Sequence, residues 1–297
     1  MPRKKIQIIA LVGPNASGKS ALSLKIAANY NGEIVSADSR QVYRSLDLGS
    51  GKISKLERKK IPHHLLDVIG VKKIFSVADF IKSSKIAVGD VAKRKKIPII
   101  VGGTGFWVDA LLSGMQLPAV KPDLILRKKL SKLPNEILYK KLEKLDPLRA
   151  KNIDRHNPAR LVRALEIILK SKKPIPLLKN QPAYQVLWLG MNPGLKILKN
   201  KIKIRLQKRL KQGMLAEVRK LLQAGVPAKR LIELGLEYRY LTLFIQNKIS
   251  REEMEQQLYR AICQYAKRQI TWFKRNKKIH WVTNVAQANK LIKEFLG

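Results

Sequence analysis

Gly13-Pro14-Asn15-Ala16-Ser17-Gly18-Lys19-Ser20 is the most informative segment of the sequence for its architecture. It matches the pattern G-x-x-x-x-G-K-[ST] and has the flanks that pattern requires. An apolar run, Ile6 to Val12, precedes it, and Ala21, Leu22, Leu24, Lys25, Ile26 and Ala27 follow it. The run reads as a buried strand, and the following residues as a helix with a mostly apolar face. Glycines in such a turn let backbone N–H groups point inward at phosphate oxygens, and the opening helix turn adds its positive end. Lys19 supplies a point charge for the outer phosphates, and the Ser20 hydroxyl is the expected Mg²⁺ ligand. The motif predicts a nucleotide- or pyrophosphate-binding loop but does not say which reaction follows.

Working outward, Glu33-Ile-Val-Ser-Ala37 reads as a second strand ending at the polar cluster Asp38-Ser39-Arg40. Ser76 is placed to cap a helix through Asp79. Ile97-Pro-Ile-Ile-Val101 forms another buried run, closed by Gly102-Gly103-Thr104-Gly105. Strands that alternate with helices imply a parallel sheet with right-handed crossovers. From about Gln116 to Asn180 the periodicity is helical only, Lys-rich and punctuated by prolines. Val186-Leu-Trp-Leu-Gly190 returns to a strand-like run, long amphipathic helices follow, and Ile279-His-Trp-Val282 resembles a last strand. The predicted fold class is α/β, a P-loop NTPase-like parallel-sheet core with a helical insertion domain. The core is expected over 1–115 and 181–297, and the insertion over 116–180.

Lys and Arg number 61 against 21 Asp and Glu, a formal net charge of +40. Such an imbalance attracts a polyanion without sequence preference, so composition points to nucleic acid. Hydrophobic residues make up 45% of the chain, an ordinary globular value. No apolar run approaches the roughly 18 residues of a membrane span, and the apolar start runs into Gly13-Pro14 without a cleavage site, so we read it as the first strand. One cysteine, Cys263, excludes a disulfide framework and reads as a small hydrophobe. The expected compartment is the cytoplasm. The Gly102-Gly103-Thr104 turn lacks the acidic residue that positions Mg²⁺ and water in many ATPases, which argues against hydrolysis.

Several further segments keep a recognisable order. They are Glu33 to Arg44 (EIVSADSRQVYR), Leu46-Asp47-Leu48-Gly49, Ile61 to Asp67 (IPHHLLD), Ser76 to Phe80 (SVADF) and Val101-Gly-Gly-Thr-Gly105. Then come Leu145-Asp-Pro147, Arg160 to Glu166 (RLVRALE), Gly213 to Val218 (GMLAEV) and Lys267 to Phe273 (KRQITWF). As an ordered set, together with the glycine turn, they resemble the tRNA dimethylallyltransferase family, also called tRNA isopentenyltransferases. The resemblance implies transfer of a dimethylallyl group from dimethylallyl diphosphate to the N6 amine of the adenosine 3′-adjacent to the anticodon, with release of pyrophosphate. An adenine amine is a poor nucleophile, so a carboxylate base is expected, and Asp38 matches the family's base. Thr104 matches the donor to the leaving oxygen, and Arg205 the catalytic arginine, with Arg209 one turn on as the alternative.

The same resemblance assigns RNA contacts to Asp38, Ser39, Arg40, Gln41, Thr104, Arg127, Arg160, Arg163, Gly235, Tyr238, Arg239, Lys267, Arg268, Gln269 and Trp272. It implies the tRNA anticodon stem-loop as partner; the glycine turn with Ser20 implies Mg²⁺ as cofactor, and a monomer is expected because one chain suffices to wrap one stem-loop. Tyr238, Trp272 and Phe273 are candidate stacking surfaces for an extruded base, although aromatics at helical spacing more often belong to a core. The chain departs from the family in carrying Asn15 for Thr, Asn157-Pro-Ala before Arg160, Arg209 where relatives often have Met, and Gly235-Leu-Glu-Tyr-Arg239 for the commoner Gly-Tyr-Lys-Glu. Three other readings stay open at this level: a small-molecule P-loop kinase, an adenylate isopentenyltransferase acting on free nucleotide, and a non-enzymatic RNA-binding module.

Overall fold

A computed structural model describes residues 5–176 and 180–297; the expected helical reading of residues 177–179 lies outside the described residues. The chain separates into two compact units, Met1–Gly114 with Pro182–Gly297, and Met115–Gln181.

The first unit starts with β1 (Ile6–Val12), the glycine turn, α1 (Lys19–Asn29) and β2 (Gly32–Ser36). The short α2 (Lys55–Lys60), the two-residue β3 (His63–His64), α3 (Val77–Lys93), β4 (Ile97–Gly102) and α4 (Gly105–Leu112) follow. α3 begins as its sequence predicts: Ser76 Oγ accepts the Asp79 N–H, and the Asp79 carboxylate accepts the Ser76 N–H at 2.9 Å.

The second unit holds α5 (Leu124–Leu130), α6 (Asn135–Leu145), α7 (Pro147–Lys151) and α8 (Pro158–Ser171). Asn157 caps α8 by accepting the Arg160 N–H, and Pro158 occupies the first turn, where no N–H is needed. Leu130, Leu138, Leu142, Leu161, Leu165 and Ile168 form this unit's own core.

The first unit resumes with β5 (Tyr184–Gly190), α9 (Leu195–Lys211), α10 (Met214–Gln223), α11 (Ala228–Leu234), α12 (Leu236–Ile245), α13 (Arg251–Phe273), β6 (His280–Trp281) and α14 (Val285–Leu296). The six strands form one sheet in the order β3-β2-β4-β1-β5-β6, and every pairing is parallel. β1 is buried on both faces with period two. Ile8, Ala10 and Val12 join the core beneath α3, α4, α12 and α13, while Ile9 and Leu11 join the one under α1 and α14. Because all strands run the same way, their carboxyl ends share one edge, and Gly13, Asp38 and Thr104 are brought together there although they lie far apart in sequence. Gly13 sits at φ +147°, and a β-carbon on it would stand 2.3 Å from the Met191 carbonyl, so only glycine lets the turn pass the end of β5.

Candidate active site

The carboxyl edge opens into a cleft of about 870 Å³ within the first unit. Its floor is the glycine turn. Lys19 Nζ lies 2.6 Å from the Pro14 carbonyl, and Ser17 Oγ is buried without a hydrogen-bond partner. Burial pulls the Lys19 ammonium down to about 8, against the opposing pull of Asp38. Gln269 struts the turn from α13. Its Oε1 accepts the Asn15 N–H at 2.8 Å, and its Nε2 donates to the Gly103 carbonyl at 2.8 Å.

Asp38 stands where β2 ends. Its Oδ1 accepts the Arg40 N–H at 2.8 Å and the Gln41 N–H at 3.4 Å, and its other oxygen has no partner among the described residues. Thr104 lies beside it, its Oγ1 accepting the Ser39 N–H at 3.1 Å. Tyr265 of α13 adjoins this group. Burial and the Asp38 charge raise its phenol, while Arg40 and a hydrogen bond to Thr104 act in the other direction.

On the opposite wall, Arg205 and Arg209 project from α9 one turn apart. Arg205 Nη2 reaches the Gly51 carbonyl at 3.4 Å, and Arg209 Nη1 lies 3.6 Å from Glu237 Oε1. The loop carrying Gly51 is held from α10, where the Glu217 carboxylate accepts the N–H groups of Asp47 (3.0 Å), Leu48 (2.7 Å) and Gly49 (3.1 Å). Tyr238 completes that clamp by donating to Glu217 at 2.9 Å and accepting the Ser50 N–H at 3.1 Å.

The structure thus gathers Asp38, Ser39, Arg40, Gln41, Lys19, Ser20, Arg205, Gly235, Tyr238, Arg239 and Arg268 around one cleft, with Thr104 beside it. It corrects the part expected of some of them. Tyr238 is 1% exposed and Phe273 1%, so neither offers a face on which a base can stack; the core reading of these aromatics holds. Gln269 is buried and committed to the glycine turn rather than free to meet RNA. Trp272 packs on Gly105 and donates to Asp109 at 2.7 Å, bracing the turn that bears Thr104. Cys263 is half-buried against the core.

In the second unit Arg127 and Arg163 converge on Glu166, whose side chain is fully buried. Arg127 binds both carboxylate oxygens at 2.8 Å, and Arg163 also donates to the Val120 carbonyl at 2.8 Å. Burial alone would raise Glu166, but Arg127, the Asp123 amide and Arg163 outweigh it and hold the carboxyl at about 2. These two arginines therefore first serve the unit's own structure. Arg160, Arg239, Lys267 and Arg268 are exposed.

Sequence reasoning missed Glu217, Glu237 and Tyr265. Tyr265 had a usable signal, since it shares a helical face with Arg268 and Gln269 at i+3 and i+4. Nothing in the sequence marked Glu217 as the partner of a loop 170 residues away.

A parallel P-loop sheet with a carboxylate, a hydroxyl and paired arginines around its phosphate cradle defines a class of group-transfer proteins. Residues 41–276 match the family described as IPP transferase. The chain is 42% identical over 284 residues to tRNA dimethylallyltransferase 2 of Shewanella sediminis, covering 94% of each chain. It is 38% identical to tRNA dimethylallyltransferase of Thermoanaerobacter sp., covering 93% of this chain and 91% of that one. Among solved structures it is similar to tRNA delta(2)-isopentenylpyrophosphate transferase from Staphylococcus epidermidis, with a TM-score of 0.71, 32% identity, and coverage of 98% and 99%. The chain belongs to the IPP transferase family.

Proposed function

We propose that this chain transfers a dimethylallyl group from dimethylallyl diphosphate to the N6 amine of the adenosine 3′-adjacent to the anticodon in tRNA, releasing pyrophosphate. The observation that carries the reading is the juxtaposition of the phosphate cradle with Asp38, which keeps one carboxylate oxygen unpartnered in the same cleft. In this reading the glycine turn and Lys19 hold the diphosphate. The free oxygen of Asp38 takes the amine proton as nitrogen attacks the donor's first carbon, and the carbon–oxygen bond breaks toward pyrophosphate. Thr104 and Arg205 face the oxygens on which negative charge grows.

The turn also fits Mg²⁺. The Ser20 hydroxyl is exposed at the cleft, and no cluster of three His, Cys, Asp or Glu that could form an all-protein cage exists among the described residues. Magnesium keeps several waters and relies on substrate phosphates, so one hydroxyl beside a diphosphate suits it. When bound, it would neutralise charge on the diphosphate.

Recognition of RNA falls to the exposed cations Arg160, Arg239, Lys267 and Arg268, backed by the net +40. The helical unit is the proposed stem-loop holder. One chain lines the whole cleft, which favours a monomer. No helix among the described residues is long and apolar enough to cross a membrane. A tRNA acceptor is what places the proposed reaction in the cytoplasm.

The test is to react an unmodified tRNA with donor and Mg²⁺, digest it, and identify the altered nucleoside by mass. Modified adenosine at the position after the anticodon supports the reading; an unaltered tRNA with turnover of ATP would replace it with the kinase reading.

A further inference from the structure

Two like charges touch in the wall of the cleft. A β-carbon on Gly51 would stand 1.5 Å from Arg209 Nη2 and 2.0 Å from Arg205 Nη2, so the two guanidiniums converge on one point above that glycine. Arg209 is the more costly of the two to keep there. Its side chain is 13% exposed, and no residue among those described accepts a hydrogen bond from it. Its nearest countercharge is Glu237, 10% exposed and 3.6 Å away, too far for a close hydrogen bond, with Glu217 and Asp38 acting on it from further off. A guanidinium has five donors in a planar fork suited to anionic oxygens. Buried cations that face each other with donors to spare ask for an anion between them.

The position of that anion is bracketed by the cleft's other charges. Lys19 on one side and Arg209 on the other both feel the Asp38 carboxylate, and all three line one space with the glycine turn. Glu237 stands in the first turn of α12, two residues after Gly235, and it is buried with Arg209 as its facing cation. Burial raises its carboxyl and Arg209 opposes that, so the pair at 3.6 Å keeps the guanidinium on the cleft wall beside Arg205.

We propose that Arg209 is a second guanidinium on the donor's diphosphate, acting beside Arg205, and that Glu237 is its positioning residue. The proposal rests on the reading of the cleft as a diphosphate site. It also joins two departures that look independent in sequence, Arg209 and the Gly-Leu-Glu segment, into one ion pair.

Inorganic pyrophosphate, titrated calorimetrically into the full chain with Mg²⁺, is the direct probe. R209M should weaken it by about tenfold or more, the scale of one charge-assisted contact. E237Q should weaken it less, and R209M/E237Q should be no weaker than R209M, because Glu237 acts only through Arg209. In transfer assays R209M and E237Q should raise KM for dimethylallyl diphosphate while leaving KM for tRNA unchanged. Wild-type pyrophosphate affinity in R209M, or its recovery in the double variant, would make the pair purely architectural and overturn the proposal. If R209M does not fold, E237Q decides, and unchanged affinity there rejects the positioning role. Failure of the wild-type protein to bind pyrophosphate at all would instead remove the diphosphate reading itself.

Discussion

Asp38 divides its carboxylate between two tasks. One oxygen ties down the turn after β2 through the amides of Arg40 and Gln41, and the other faces the cleft. Replacing Asp38 by Asn keeps an acceptor for the turn and removes the base. The transfer rate should fall by on the order of 10²–10⁴ while pyrophosphate affinity changes little, which separate turnover and calorimetric measurements check. Lys19 gives a pH signature. Burial holds it at about 8, so it is charged below that pH and loses its proton above it. Pyrophosphate affinity of the free enzyme should therefore decline as pH rises through about 8; a flat profile from 7 to 9 would place the ammonium outside the site. The cradle and Asp38 were legible in sequence because each sits in a short contiguous motif. Glu237 was not, since its meaning depends on Arg209, which comes within reach only because α9 and α12 both pack on α10 and α13.

Among the elements, the loop Asp47 to Gly51 is a strap whose amides are held by one carboxylate. Glu217 holds three of its amides, and Tyr238 bridges Glu217 to Ser50. Tyr238→Phe leaves the Ser50 amide and one Glu217 lone pair unanswered in a buried place, and should cost about 1–2 kcal/mol in urea unfolding. Gly51→Ala should act on the site instead. Its φ of +64° disfavours a side chain, and the new methyl collides with both guanidiniums, so pyrophosphate affinity should drop about tenfold. Five of the six strands were readable as apolar runs. β3 was not, because the two half-exposed residues His63 and His64 are strand only by pairing with Ile34 and Val35. The buried aromatics Tyr238 and Phe273 show the opposite hazard, in which residues chosen for their chemistry turn out to fill the core.

The whole molecule carries +40, yet four of its 21 acids are buried among the described residues, and two of these each gather several cations. Glu33 takes Arg94, Lys96 and His64, and Glu166 takes Arg127 and Arg163. Burial raises each carboxyl, but those partners prevail and hold both at about 2, below the ordinary value of 4.5. A depressed carboxyl adds stability above its unfolded value and loses it as pH falls through the folded one. Unfolding free energy should hence decline between about pH 4.5 and pH 2, and Glu166→Gln should flatten part of that decline. The charge surplus was plain from composition. Which cations remain free for RNA was not, because Arg127 and Arg163 resemble Arg160 in sequence and differ only in having a buried acid opposite them.

In the proposed reaction the cradle holds a diphosphate whose carbon chain leaves for an RNA base. Purified protein with Mg²⁺ and carbon-labelled dimethylallyl diphosphate, offered tRNA and AMP together and no ATP, tests it most directly. We predict that label enters tRNA at the adenosine after the anticodon. Label in AMP alone, or none in either acceptor, would exclude transfer to tRNA.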